Sequence, residues 1–413
     1  MEEQIEKIKK ELKEKEIQNI YLNFVDFTGN ILTKMVGVQE LINNTHVSWF
    51  DGISINGNLI QDFKDDKEND WLVILPDPFS FRIIPFLKDE NQRAAVIFCS
   101  IKNTSLDTRG LLKKAVSEFE ELKMIPMFGT EFIYSIDNSN NFSSSLYGND
   151  IRKTDHVEYQ NFYETLATNK KTIFQNNLVN ELLKANIDIE YYLPYGETHN
   201  RIDLVPDVAD VAADKLWTAN WFARNLAHQE NMEISFKNIE KLNLSSCPIH
   251  MSLWKGKREK NLFFDEEDKF ELSQLGKSFM NGILYHEKSL KALATATSNE
   301  PQKYYRTKIS VSRGNSLLQV PLYFNEKQKQ DRIGWSKRCI YNGLNASQNY
   351  YLMFAAILYA GLYGIQNKIE PVKNIEVDAY TKKELIDNLK SNEYFIEKLG
   401  TKIINKAIKK LEE

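Results

Sequence analysis

RIDLVPDVADVAADKLWTANWFARNLAHQENMEISF, residues 201–236, joins two patterns in one stretch. Its start closes DIEYYLPYGETHNRIDL (188–204), which reads as strand and loop, and ADVAADKLWTANWFARNLAHQ (209–229) reads as one long helix. Working outward, MFGTEFIYSI (127–136) and CPIHMSLWK (247–255) read as strands, and 171–186 as an amphipathic helix. KFELSQLGKSFMNGILYHEKSLKALA (269–294) is helical in pattern, and SQNYYLMFAAILYAGLYGIQNK (347–368) predicts a buried helix. The tail, 382–413, predicts two amphipathic helices, and the polar segment Phe142–Tyr159 predicts a loop.

The N-terminal part reads differently. MEEQIEKIKKELKEKEI places Ile5, Ile8, Leu12 and Ile17 on roughly one helical face. IYLNFVDF (20–27) and ILTKMVGV (31–38) flank the turn Thr28-Gly29-Asn30, predicting a strand-turn-strand unit. Further short strands are expected in WLVILPDPFSFRIIPF (71–86) and AAVIFCSI (94–101), and a helix opens at Asp107 or Thr108. The expected fold class is α+β: a small sheet domain with a leading helix over 1–105, and a larger domain over 106–413.

With 413 residues and 42% hydrophobic content, the chain can build cores for two such units. Its formal net charge is −4 with the signs interspersed, which excludes the one-sided basic surface of a nucleic-acid binder. Cys99, Cys247 and Cys339 have no C-x-x-C spacing, against a disulfide framework or structural zinc site. The charged start does not read as a targeting peptide. The apolar run Tyr350–Gly364 falls short of the ~20 residues that span a bilayer, so no membrane partner is expected. The expected location is cytoplasmic.

Collinear segments resemble the glutamine synthetase family. FVDFTGNILTK (24–34), FDGISINGN (50–58) and LPDPFSFRIIPF (75–86) resemble its N-terminal region. FGTEF (128–132) stands where the family has G-x-E-x-E-F, and 201–236 resembles its E-I-D segment and long helix. NLSSCPIHMSLW (243–254) stands against N-G-S-G-M-H-x-H-x-S-L-W, and Asn345–Lys368 against D-x-x-x-N-P-Y-L-A. The resemblance implies a β-grasp-like N-terminal domain beside a larger catalytic-type domain on a curved antiparallel sheet. It also implies ring-like homo-oligomers with active sites between subunits.

The family activates a carboxylate with ATP and captures the acyl phosphate with an amine, holding divalent cations with glutamates and histidines. Carried over residue by residue, Glu131 is the residual metal ligand of an E-x-E pair whose first member is Gly129. A gap-free count puts Pro194 and Arg201 at two further glutamates, whereas a shifted register puts Glu197 at the family's glutamine and His199 near the second glutamate. If Arg201 sits in the metal site, a Glu131–Arg201 ion pair is expected. Pro248 takes the place of one histidine and His250 of its partner; Ile340 and Asn342 replace a glutamate and an arginine. The loop R-x-x-P-G-Y-E-A-P has no counterpart between YYRTKISVSRGN (304–315) and SLLQVP (316–321). The implied site residues are Asp51 as catalytic base, His250, Ser252, Arg313 and Arg338 at the nucleotide, and Asn243 at the substrate. Tyr191-Tyr192 and Tyr350-Tyr351 read as core or interface aromatics.

These departures lead to the expectation of a non-catalytic protein with a regulatory, scaffold or metabolite-binding role. An active glutamine synthetase is a candidate partner beside the chain itself. The alternative is an ATP-dependent carboxylate–amine ligase, γ-glutamyl in type, with an altered metal site and substrate, for which Glu197, His199, Asp203 and Asp207 are the nearest candidate ligands; Mg²⁺ and ATP enter only if that activity is retained.

Overall fold

A computed structural model describes residues 1–64, 70–87, 89–137, 170–195, 199–236, 246–256, 258–268, 270–298, 337–344, 347–369 and 380–413, with backbone alone at 309–310 and 318–319. Helix α1 (Glu2–Glu14) buries Ile5, Ile8 and Leu12, the face its spacing predicts. Strands β1 (Asn19–Val25) and β2 (Ile31–Gly37) pair antiparallel, and Gly29 supplies the φ of +83° in their turn. After α2 (Val38–Asn43) come β3 (Ile53–Asn56), β4 (Trp71–Pro76), β5 (Arg82–Ile83) and β6 (Ala94–Lys102). They complete a six-stranded sheet ordered β2-β1-β6-β4-β3, with β5 on β6 and only β1 and β6 parallel.

Helix α3 (Thr108–Glu121) leads into a second sheet. Its elements are β7 (Ile125–Asp137), α4 (Lys170–Lys184), β8 (Ile189–Tyr195), β9 (His199–Val208), α5 (Ala209–Gln229), β10 (Glu233–Ser235), β11 (Ile249–Lys255) and β12 (Lys260–Asn261). Then follow α6 (Gln274–Tyr285), α7 (Glu287–Ala296), β13 (Ile309–Ser310), β14 (Leu318–Gln319) and β15 (Cys339–Tyr341). The chain ends with α8 (Tyr350–Asn367), α9 (Lys382–Ser391), α10 (Glu393–Leu399) and α11 (Thr401–Glu412). The sheet runs β13-β14-β15-β11-β7-β9-β8, with β10 on β7 and β12 on β11, antiparallel except at β13–β14. Helices and these two sheets make the α+β class expected.

Two expectations need correction. The helical stretch over 269–294 is two helices, because Ser273 caps α6 only from Gln274 and the chain breaks at His286. The tail holds three helices: Asn392 caps α10, and Gly400 at φ +92° separates α10 from α11. Phe142–Tyr159 lies outside the described residues. The apolar run forms α8, whose Tyr350–Ala360 are buried, and no described helix is long and apolar enough to cross a membrane.

A buried ionic knot ties the first sheet to the helices behind the second. Arg109 on α3 bonds Asp77 just after β4 (2.7 Å) and Asp214 on α5 (2.6 and 3.0 Å). Tyr351 on α8 donates to Asp214 (2.6 Å), and Lys113 also pairs with Asp77. Asn349 caps α8 and donates to the carbonyl of Asp26 in the β1–β2 turn (2.8 Å), so one residue starts the helix and anchors the hairpin. Burial pushes the Asp77 carboxyl up, but the charges of Arg109 and Lys113 outweigh it and hold the pKa at about 2. A depressed folded pKa gives stability that is present above the unfolded value near ~4 and lost as pH falls toward ~2. Asp77→Asn should therefore lower unfolding stability at pH 7 by about 2 kcal/mol and narrow the gap to the parent between pH 4 and 2. Urea unfolding midpoints at several pH values check this.

Candidate functional site

Strands β11, β7 and β9 lie side by side, and their alternation decides what faces the open side of the sheet. On β11, Ile249, Met251 and Leu253 are buried in the core, while His250, Ser252 and Trp254 line a cavity of about 520 Å³. Pairing sets His250 opposite Gly129, Glu131 opposite Asp203, and Ile133 opposite Arg201. Ile202 and Leu204 point into the core, leaving Arg201 and Asp203 on the face that carries Glu131. Gly129 lets the walls close: a Cβ there would stand 3.0 Å from Pro206 Cγ. A longer side chain at 129 would need Pro206 to move.

Arg201 is the hub of this face. Its Nε and Nη2 donate to the two carboxylate oxygens of Asp203 (2.6 Å each), a bidentate pair, and Nη2 also reaches Glu131 Oε1 (2.9 Å). Nη2 further donates to the Tyr191 hydroxyl (2.9 Å), and the guanidinium lies 5.4 and 5.6 Å from the Tyr191 and Tyr195 ring centroids. The side chains of Arg201, Glu131 and Asp203 are only 14%, 9% and 7% exposed, so little solvent screens these contacts. Burial disfavours the charged guanidinium, but the Asp203 bonds and the Glu131 charge outweigh it and hold its pKa above the usual arginine value. Burial also pushes the Tyr191 hydroxyl up.

His250 continues the chain on the other side. Arg338 Nε donates to His250 Nδ1 (2.7 Å), and His250 Nε2 lies 2.7 Å from Glu131 Oε1. A guanidinium has no acceptor, so Nδ1 must present its lone pair and Nε2 must carry the proton that Glu131 accepts. The sequence is Arg338 to His250 to Glu131, with Arg201 between Glu131 and Asp203. Two guanidinium charges meet two carboxylates across a neutral imidazole.

The divalent cations that the family resemblance implies do not fit this donor set. Glu131 Oε1 and both Asp203 oxygens are directed at Arg201, and the His250 nitrogen nearest Glu131 carries a proton rather than a lone pair. The cavity wall has Arg258, Lys337 and Arg338 against Glu131, Glu190 and Asp203, with Arg201 paired to two of those carboxylates, so it lacks the negative excess that draws a metal ion. Among the described residues no group of three or more His, Cys, Asp and Glu side chains could hold a metal.

Of the residues singled out in the sequence, Glu131, His250, Ser252 and Arg338 come together here. Ser252 accepts from Trp254 Nε1 (2.9 Å). The expected Glu131–Arg201 pair is present, in keeping with the gap-free count; residues 196–198 lie outside the described set. Asp51 is apart: it closes a short helical turn over Val47–Asp51, its side chain is 62% exposed and 3.5 Å from His46, and it does not line the cavity. Asn243 and Arg313 lie outside the described residues. Tyr350 and Tyr351 are core residues as expected, but Tyr191 is 48% exposed and part of the site. Trp254 was missed, and Asp203 entered the reading only as a candidate ligand of an altered metal site, not as the partner of Arg201. Their signal was period two: Trp254 follows Ser252 by two residues, and Asp203 follows Arg201 by two. In a ¹⁵N-histidine spectrum, His250 should show an unprotonated Nδ1 and a protonated Nε2, and the Arg338→Ala variant should free that preference. The opposite tautomer in the parent protein would contradict the hydrogen-bond order.

Comparison with known proteins agrees with this architecture. A family model for the glutamine synthetase catalytic domain matches residues 105–413. The glutamine synthetase of Thermotoga maritima is 26% identical over 441 aligned positions, covering 99% of this chain and 95% of that protein. The Archaeoglobus fulgidus glutamine synthetase is 25% identical, covering 98% and 92%. Among solved structures, the Plasmodium falciparum glutamine synthetase superposes with a TM-score of 0.78 at 17% identity, covering 99% of this chain and 95% of that chain. A crystal structure described as a novel glutamine synthase homologue gives 0.76 at 17% identity, covering 96% and 93%. Matched over most of its length by the catalytic-domain model, the chain belongs to the glutamine synthetase family.

Proposed function

We propose that this protein is a non-catalytic member of its family, keeping the fold for assembly and for metal-independent binding in the cavity. The observation that carries the reading is the closed sequence of contacts from Arg338 through His250, Glu131 and Arg201 to Asp203. Carboxylate activation by ATP needs cations that neutralise phosphate charge at the reacting group. Here the nearest carboxylates already hold a guanidinium. Removing one preorganised electrostatic contact commonly costs about 10²–10³ in rate. Losing the ligands of a metal site together costs more, although such effects do not add.

A division into 1–105 and 106–413 goes with this reading, supported by the two separate sheets and by a family match that begins at 105. So does a homo-oligomer, ring-like as the family resemblance implies. Asp51 is exposed and does not line its own chain's cavity, and a role in chemistry would require it to serve a neighbouring subunit. The roles assigned to His250, Ser252 and Arg338 become those of cavity-wall residues that a small ligand would touch. Asn243 and Arg313 keep the roles that the resemblance implies. A regulatory contact with an active glutamine synthetase is the corresponding role outside the cavity.

The second reading, an ATP-dependent carboxylate–amine ligase with altered substrate, is favoured by the names of the relatives and by Glu190 in the cavity wall. Calorimetric titration with ATP, with and without Mg²⁺, separates the two. The proposal predicts no Mg²⁺-dependent binding. A metal-dependent Kd tighter than about 100 μM, roughly −5.5 kcal/mol, would favour the ligase.

A further inference from the structure

We infer that Arg201 is the resident cation of this site: its guanidinium fills the gap between Glu131 and Asp203 and thereby closes a divalent-cation site that its removal would open. The inference rests on the metal-independent reading of the cavity and gives it a cause in one residue.

The geometry is specific. Three carboxylate oxygens from two strands, Glu131 Oε1 on β7 and Asp203 Oδ1 and Oδ2 on β9, lie within 2.9 Å of guanidinium nitrogens. The Tyr191 hydroxyl adds a fourth oxygen at 2.9 Å. These are hard donors, the type that Mg²⁺ and Mn²⁺ prefer. Their arrangement is fixed by register, since Glu131 and Asp203 are direct partners across β7 and β9. Glu131 and Asp203 stay close together, both nearly buried, only because a positive charge sits between them. That charge is covalently attached two residues before Asp203, so no free ion can compete with it at equal cost. Without it, two buried carboxylates face each other, and the relief available is protonation or capture of a free cation. His250 does not supply a rival cation, because its Nε2 proton serves Glu131 while Arg338 is one residue further back.

The test uses the full chain and Mn²⁺ alone, without nucleotide. Arg201→Met keeps length and apolar packing against Tyr191 and Tyr195 but removes the charge. Electron paramagnetic resonance and calorimetry should find Mn²⁺ bound at least about tenfold more tightly by this variant than by the parent. Added Asp203→Asn should abolish the gain, and Arg201→Lys, which retains the charge, should not acquire it. Mn²⁺ should raise the melting temperature of Arg201→Met and leave that of the parent unchanged. If Arg201→Met is soluble only in Mn²⁺, that dependence is itself the predicted result. If it is insoluble in both conditions, Arg201→Gln, which retains an amide donor, decides by the same titration. Equal affinity in parent and folded variant, or no Mn²⁺ binding by either variant, overturns the inference. A parent that binds Mg²⁺ only together with ATP would instead overturn the reading of the function and leave the role of Arg201 standing.

Discussion

The contact on which the site depends is the ion pair between Arg201 and the facing carboxylates of Glu131 and Asp203. Two acids with side chains under a tenth exposed cannot both stay charged beside each other without a partner. A guanidinium satisfies them with directional bonds and needs no metal from solution. Once Arg201 is placed, the rest of the face follows. Glu131 accepts from His250, His250 therefore accepts from Arg338, and Tyr191 folds its hydroxyl toward the same guanidinium.

The sheet makes this possible. Period two sends His250, Ser252 and Trp254 to one side of β11 and Ile249, Met251 and Leu253 to the other, where they pack into the core. A shift of one residue in β9 would bury Arg201 and expose Ile202, so burial of the apolar set fixes the register that makes the ion pair. The knot of Arg109, Asp77, Asp214 and Tyr351 does a related job elsewhere, linking the first sheet to α5 and α8. In both places a buried arginine is held by two carboxylates. One holds the fold together, and the other holds two carboxylates that line a cavity.

Much of the fold was legible in the chain. The turn at Thr28-Gly29-Asn30, the alternation around His250 and the long helix over 209–229 depend on local pattern, and each is found where that pattern puts it. Breaks inside helical stretches were less legible. His286 interrupts a run whose apolar spacing continues across it, and Gly400 acts through a φ that composition does not display. In the site, Glu131, His250 and Arg338 were reached through aligned motifs, whereas Asp203 and Tyr191 belong to it through cross-strand neighbours. Tyr191 sits on a strand rich in aromatics and reads as core or interface, and only the position of Arg201 across β8 and β9 shows why it stays half-exposed. Which neighbours a strand residue meets is a non-local property, and a single sequence states only which face it shares.

Crystals of the parent protein grown with MnCl₂ and measured at the manganese absorption edge test the central claim most directly. The account predicts no anomalous peak between Glu131 and Asp203, with the Arg201 guanidinium in hydrogen-bond contact with both. A manganese ion ligated by Glu131, with Arg201 swung away from it, would contradict the account.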